Sequence, residues 1–183
     1  MKIELEIPKG KAAQWVNGVL TLVDEEKPKN VMERVKTFED AIEELGEEHP
    51  LVQAYNAWEY GGVNNQADID AYLKLRIIVA ALNEVWKPKF TKDEYRYYPY
   101  FYLYTKEEIE DMDEEKRKEL WLWGGSSSYG AGCGLSGAFS SVGWAVSSAN
   151  ISARLALKSK ELAVYCGKQF QSIWADYMYW GEE

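Results

Sequence analysis

The sequence predicts an α+β protein in which a small, mainly antiparallel sheet is packed by a long C-terminal helix, with a helical N-terminal half. Apolar residues recur at helical spacing over about 31–90, and the rest of the chain, about 91–183, holds a tyrosine-rich stretch, a Gly/Ser-rich stretch and an amphipathic C-terminal segment. No long polar linker divides the 183 residues, so we expect one domain over residues 1–183.

The first predicted elements are two strands. Ile3, Leu5 and Ile7 alternate with charged residues, which is the period of a half-buried strand, and Pro8 ends the pattern. We expect Trp15–Val23 to pair with this segment as the second strand.

Three helices follow. Thr37 and Asp40 have the spacing of a helix N-cap and its capping-box partner, and they precede apolar residues at helical spacing. Pro50 suits the first turn of a second helix, which Gly61 ends. The longest helical pattern is Asp68–Trp86, whose wide apolar stripe predicts deep burial.

The sheet is predicted from four stretches separated by loops and a solvated acidic helix over 106–119. Pro99 lies inside the first stretch and predicts an edge strand or a bulge, because proline cannot donate a ladder hydrogen bond. Ser159 is placed to cap the last helix, Lys160–Tyr179. The predicted strands are Tyr95–Tyr104, Leu120–Trp123, Val142–Val146 and Arg154–Leu157.

Composition limits the location and the partners. No run of residues approaches the length of a membrane span, and the first residues do not have the pattern of a signal peptide, so we expect a cytoplasmic protein that does not enter membranes. The net charge of −9 opposes binding to nucleic-acid phosphates. Cys133 and Cys166 lie in dissimilar contexts and are predicted to be free thiols.

The chain offers little support for catalysis or a cofactor. His49 is the only histidine, and its position before Pro50 indicates a capping or surface role. Gly132–Gly137 matches the letters of a dinucleotide-binding loop, but the preceding strand ends too early and no helix pattern follows. We therefore predict no cofactor, no metal and no catalytic residue.

Aromatic side chains are the most unusual feature. Alternate tyrosines of the tyrosine-rich stretch are predicted on one face of a strand, with tryptophans nearby, so they form either a binding platform or a layer covered by helices. Arg154 is expected beside the Gly/Ser-rich stretch, where it binds an anion or forms a structural ion pair. The candidate binding residues are Tyr98, Tyr100, Tyr102, Trp123, Tyr129, Trp144 and Arg154.

Three stretches of the chain form a familiar combination. They are Leu75–Glu84 with Trp86–Pro88, Tyr97–Phe101, and Arg154–Ala163 with Gly167–Phe170. Together they resemble an uncharacterised protein family of phages and mobile elements of gut Bacteroidota. The resemblance covers about 68–179 and implies phage origin and a place in the cytoplasm of a bacterial host, with the virion as the alternative. The family usually has Gly-Ser before the arginine, where this chain has Ser152-Ala153.

The first functional hypothesis is a phage-encoded, non-enzymatic accessory protein that binds a protein partner, or itself, through the aromatic strand and the Gly/Ser-rich loop. The alternatives are a structural or assembly component of the virion, and a small-molecule binder of nucleotides with an anti-defence role. Binding of single-stranded DNA by aromatic stacking is a fourth hypothesis, which the net charge opposes.

Overall fold

The chain divides into two units, residues 1–30 and 31–183. The computed structural model describes residues 6–8, 10–24, 26–62, 66–84, 86–89, 91, 93–104, 106–123, 133–143 and 153–178. Ile3 and Leu5 of the first predicted strand lie outside these ranges, and Ile7 lies outside any strand. One domain over residues 1–183 stays a prediction.

The first unit contains an antiparallel hairpin of strands β1 (Lys11–Val16) and β2 (Val19–Asp24). The prediction of one continuous strand over Trp15–Val23 is wrong, because Asn17 and Gly18 turn the chain back on itself. Their φ angles of 52° and 79° are left-handed, as a two-residue turn between twisted strands requires.

The second unit begins with four helices, three of which were predicted. Thr37 accepts a hydrogen bond from the Asp40 N–H at 3.1 Å, and the Asp40 carboxylate accepts one from the Thr37 N–H at 2.9 Å. This confirms the capping box, and Pro50 opens the third helix as expected. The helices are α1 (Val31–Arg34), α2 (Phe38–Leu45), α3 (Pro50–Tyr60) and α4 (Ala67–Asn83).

Helix α4 is buried along most of its length, as its wide apolar stripe predicted. It ends at Asn83 and not at Trp86, because Glu84 adopts a left-handed φ of 56°. A right-handed helix cannot continue through that conformation.

Within the described residues, the sheet of the second unit has three antiparallel strands in the order β3-β5-β4. They are β3 (Arg96–Tyr104), β4 (Leu120–Trp123) and β5 (Cys133–Gly143). Pro99 lies on β3 at the side of the sheet, and a register shift follows between Tyr100 and Tyr102. The edge position is confirmed, whereas the register shift does not involve Pro99, which pairs regularly with Ser140.

The Gly/Ser-rich stretch was predicted as a loop, which is wrong for residues 133–143. This segment is the central strand β5, paired with β3 on one side and β4 on the other. Pairing with two neighbouring strands outweighs the low strand propensity of glycine and serine. Of the strand predicted over Val142–Val146, Val142 lies in β5, and Trp144 and Val146 lie outside the described residues.

Two other predicted elements are corrected. Residues 106–119 contain two short helices, α5 (Lys106–Glu110) and α6 (Glu114–Glu119), because the Asp113 side chain accepts a hydrogen bond from the Lys116 N–H and starts a new helix. The strand predicted over Arg154–Leu157 is a 3₁₀ turn, Ala153–Leu155, followed by a single bridge between Leu157 and Tyr97.

The C-terminal helical segment consists of α7 (Lys160–Gln169) and α8 (Gln171–Met178), because Phe170 leaves the helical conformation between them. Ser159 caps α7 as predicted. Helix α7 lies against β3 and β5, and α8 lies against α4. Phe170 and Ile173 join the core cluster with buried residues of α4, so the helical and sheet halves share one core.

Candidate protein-binding surface

The hairpin of the first unit has two chemically different faces. Residues that lie opposite each other in an antiparallel pair point to the same side of the sheet, and so do residues two apart. The register pairs Trp15 with Leu20 and Ala13 with Leu22, so these four side chains share one face, here called the apolar face. The other face, the mixed face, carries Gln14 opposite Thr21 at its centre.

The apolar face is open to solvent. The exposed fraction is 71% for Trp15, 44% for Leu20 and 42% for Leu22, and Ala13 is also exposed. A contiguous apolar patch on a protein surface is often a functional one.

The ends and the reverse of the hairpin differ from the apolar face. Lys11 and Asp24 lie opposite each other at the open end and carry the only charges of the two strands. On the mixed face, Val16 and Val19 beside the turn are also exposed, at 42% and 65%, but the exposed polar pair of Gln14 and Thr21 separates them from half-buried Ala12 and Val23. The exposed apolar pairs adjoin each other on the apolar face, whereas a polar pair interrupts them on the mixed face.

The tyrosine-rich strand β3 is mostly covered. Tyr97 and Phe101 pack against the core, with the Phe101 ring 6.1 Å from that of Trp174. Tyr98 is only 8% exposed, whereas Tyr100 is 49% exposed. Burial raises the pKa of the Tyr98 hydroxyl, and the nearby Arg96 guanidinium opposes that rise. Of the two, Tyr100 presents a side chain that a partner could reach.

Arg96, the first residue of β3, is buried and bonded to the segment that precedes the strand. Its side chain is fully buried, and its Nη2 donates a hydrogen bond to the Lys89 carbonyl. Its Nε lies 3.4 Å from the Glu94 carboxylate. A buried guanidinium needs such partners, because removing a charge from water is costly. Arg96 therefore joins the start of β3 to the segment before it.

The other predicted binding residues are placed only in part. Tyr102 lies in β3 beyond the bulge, and Trp123 ends β4 opposite Cys133, with only the backbone described for both. Arg154 lies exposed in the 3₁₀ turn. Tyr129 and Trp144 lie outside the described residues. The seven candidates therefore remain predictions. Among those whose side chains are described, Tyr100 and Arg154 are exposed.

His49 and Cys166, the histidine and the cysteine whose side chains the structure describes, have structural roles. The His49 Nδ1 accepts a hydrogen bond from the Leu51 N–H at 3.2 Å, which confirms its capping role. Burial raises the pKa of the Cys166 thiol to about 12, so it stays protonated and unreactive. Among the residues the structure covers, no group of His, Cys, Asp and Glu has the arrangement of a metal site.

Asn83 joins the end of α4 to the segment after the 3₁₀ turn. Its Nδ2 donates a hydrogen bond to the Ala156 carbonyl at 2.8 Å, and its Oδ1 accepts one from the Lys158 N–H at 3.0 Å. Leu157, between them, exchanges two backbone hydrogen bonds with Tyr97 at 2.8 and 3.1 Å. The segment is thus held on one side by the sheet and on the other by a buried amide.

Glu84 reinforces the same junction. Its carboxylate accepts hydrogen bonds from the Lys158 ammonium and from the Arg34 guanidinium, and these bonds lower its pKa. Arg34 also forms a bidentate pair with Glu44, with Nε donating to Oε2 and Nη2 to Oε1. The network connects α1, α2 and the end of α4, and we assign it a structural role.

A shallow groove of about 590 Å³ runs along α7. Its lining mixes both signs of charge, and the Tyr165 hydroxyl on its wall lies 2.8 Å from the carbonyls of Met32 and Val35. The lining has two lysines and one glutamate, and none of its described residues is a buried polar group without a partner, so nothing in it selects a particular ligand. These residues are Lys160, Glu161, Val164, Tyr165, Lys168 and Gln169.

Fold and surface together define an α+β protein that presents an apolar β-hairpin. Among the described helices, none combines the length and hydropathy that crossing a bilayer requires. Comparison with protein-family models, curated proteins and solved structures found no match.

Proposed function

We propose that this chain is a non-enzymatic binding protein that docks on another protein through the apolar face of its N-terminal hairpin. The observation that carries the proposal is the exposure of Trp15, Leu20 and Leu22 side by side. Phage origin remains an expectation that rests on the sequence resemblance alone.

The chemistry of the apolar face favours a protein partner. Tryptophan is enriched in interface hot spots, because its rigid side chain buries a large area with little loss of side-chain entropy. The strands between Lys11 and Asp24 carry no charge, so they offer nothing to attract phosphate groups.

The size of the face indicates how it is used. Trp15 exposes 71% of its surface, on the order of 150 Å² for a side chain of this size. With its neighbours the face amounts to a few hundred Å², whereas a standard interface buries roughly 800 Å² on each partner. The hairpin therefore anchors an interface to which further surface of the chain contributes.

Site-specific photo-crosslinking in host cells tests the proposal. A photoreactive amino acid at Leu20 lies on the apolar face, and the same amino acid at the next position, Thr21, lies on the mixed face. We expect Leu20 to give a discrete adduct with another protein, identified by mass spectrometry, and Thr21 to give at least fivefold less. A third variant at Tyr100 tests the aromatic strand. Equal yields at Leu20 and Thr21, or no adduct with another protein, would refute docking through the apolar face.

A further inference from the structure

The outer edge of β2 is a second feature of the hairpin. With a two-residue turn, Val16 and Val19 form the hydrogen-bonded pair next to the turn. Alternation then directs the backbone N–H and C=O groups of Leu20 and Leu22 away from β1. In the part of the chain that the structure describes, the hairpin is a two-stranded sheet, and no strand pairs with this edge.

This edge lacks the features that usually prevent strand pairing. Natural edge strands carry lysine, proline or a bulge that blocks a further strand. Residues 19–23 are Val-Leu-Thr-Leu-Val, which favour strand structure, and their register with β1 is unbroken. The outer edge of β1, in contrast, has Lys11, two alanines and Gln14. Of the two edges, β2 is the better template for a partner strand.

We propose that β2 pairs with β2 of a second copy of this chain, antiparallel and about a two-fold axis, to form a four-stranded sheet. Pairing keeps like faces together when Leu20 lies opposite Leu22 of the second copy and Thr21 opposite the second Thr21. The outward backbone groups of Leu20 and Leu22 then meet those of the second copy and form about four hydrogen bonds.

Side chains and charges agree with this register. Leu20 meets Leu22 on one face, Val19 meets Val23 on the other, and the two Thr21 side chains meet at the axis, which are all favourable cross-strand pairs. Asp24, the only charged residue of β2, lies beyond the ladder and opposite the turn of the other copy, so the two Asp24 residues are at opposite ends of the paired strands. The second copy also supplies the further strands that a two-stranded hairpin lacks for independent stability.

The paired sheet leaves the apolar face uncovered. Both copies present Trp15 on the same side, so pairing would double the surface proposed above for docking. The inference rests on the proposed function only in using the same hairpin, since the edge and the face are different surfaces.

Sedimentation velocity of the full chain, from about 1 to 300 µM, tests the pairing with matched variants. Leu22→Pro removes an N–H at the outer edge of β2. Ala13 lies opposite Leu22, and Ala13→Pro removes an N–H at the outer edge of β1 instead. Leu22→Ala controls for the lost side chain. We expect reversible dimerisation of the wild type, weakened at least tenfold by Leu22→Pro, less than threefold by Ala13→Pro, and clearly less by Leu22→Ala than by Leu22→Pro.

Disulfide trapping checks the register and does not depend on proline being tolerated. In a Cys133→Ser background, Thr21→Cys places two thiols at the axis, whereas Gln14→Cys places them three strand spacings, roughly 14 Å, apart. We expect oxidation to link the Thr21→Cys chains and not the Gln14→Cys chains.

A wild type that stays monomeric throughout, a larger effect of Ala13→Pro than of Leu22→Pro, or equal linking of the two cysteine variants would overturn the proposal. A monomeric protein whose Leu20 still crosslinks to another protein would disprove pairing and leave the proposed function intact. A dimer with no such adduct would do the reverse.

Discussion

Replacing Asn83 is expected to destabilise the second unit more than any surface change. Its side chain is 4% exposed, and its amide satisfies the Ala156 carbonyl and the Lys158 N–H. In Asn83→Ala both backbone groups lose their partner, and Ala156 is itself only 1% exposed, so water cannot fully replace the bond.

The magnitude follows from the cost of a buried polar group without a partner, about 1–3 kcal/mol each. The buried Ala156 carbonyl gives about 1–3 kcal/mol, and the Lys158 N–H, which is only part-buried, adds less, against a total stability of about 5–15 kcal/mol for a typical domain. With a urea m-value of about 2 kcal/mol per M, the unfolding midpoint should fall by at least about 0.5 M. Asn56→Ala in α3 is the matched control, with an expected change within about 0.5 kcal/mol.

Asn83→Asp separates the two hydrogen bonds. The introduced carboxylate can still accept a hydrogen bond from the Lys158 N–H. Only the protonated carboxyl group can donate a hydrogen bond to the Ala156 carbonyl. The folded state should therefore raise the pKa of the introduced carboxyl group above its unfolded value of about 3.9. Because the folded state then holds a proton that the unfolded state has lost, the stability of this variant relative to wild type should fall as the pH rises from about 4 to about 7.

Urea unfolding followed by tryptophan fluorescence at the acidic and the neutral end of that range measures these effects. If Asn83→Ala shifts the midpoint no more than Asn56→Ala, the junction between α4 and residues 156–158 does not depend on the amide. If Asn83→Asp shows no pH dependence beyond that of wild type, the hydrogen bond to the Ala156 carbonyl is not the important one.

Three further outcomes are expected. Hydrogen bonds from Lys158 and Arg34 lower the pKa of Glu84, so wild type should be more stable than Glu84→Gln in urea unfolding above the ordinary glutamate pKa. This advantage, at most about 1 kcal/mol for so exposed a pair, should be lost as acid protonates the carboxylate in the folded state. Glu84→Gly should be more stable than Glu84→Ala by about 1 kcal/mol in urea unfolding, because glycine tolerates the φ of 56°; the reverse order would disprove strain there. Iodoacetamide at mildly alkaline pH should modify Cys166 in urea and not in the native protein, since burial raises its pKa to about 12, and rapid native labelling would contradict that burial.

Elements whose signals are local were predicted well. Thr37 and Asp40 form the expected capping box, and Pro50 opens its helix, because each signal acts within one helical turn. Helix ends were less accurate: α4 stops at Asn83 because of tertiary contacts made by Asn83 and Glu84 with residues 156–158 and Arg34. Nothing in the local sequence indicates those partners.

The central strand could not be predicted from its own residues. Cys133–Gly143 is rich in glycine and serine, which favour turns, and its strand conformation comes from pairing with β3 and β4. The hairpin, in contrast, had a local signal that was missed. Asn17-Gly18 between alternating apolar residues is a strong indication of a two-residue turn.

The missed turn also explains why the candidate surface moved from the aromatic strand to the hairpin. With Trp15–Val23 taken as one strand, Trp15 and Leu20 have opposite parity and would lie on opposite faces. The turn at Asn17-Gly18 instead places them directly opposite each other on one face. Recognising this turn in the sequence would have predicted an apolar cluster of four residues: Ala13, Trp15, Leu20 and Leu22. Whether a layer covers that cluster depends on the fold, and the exposure of Trp15 shows that its face is open.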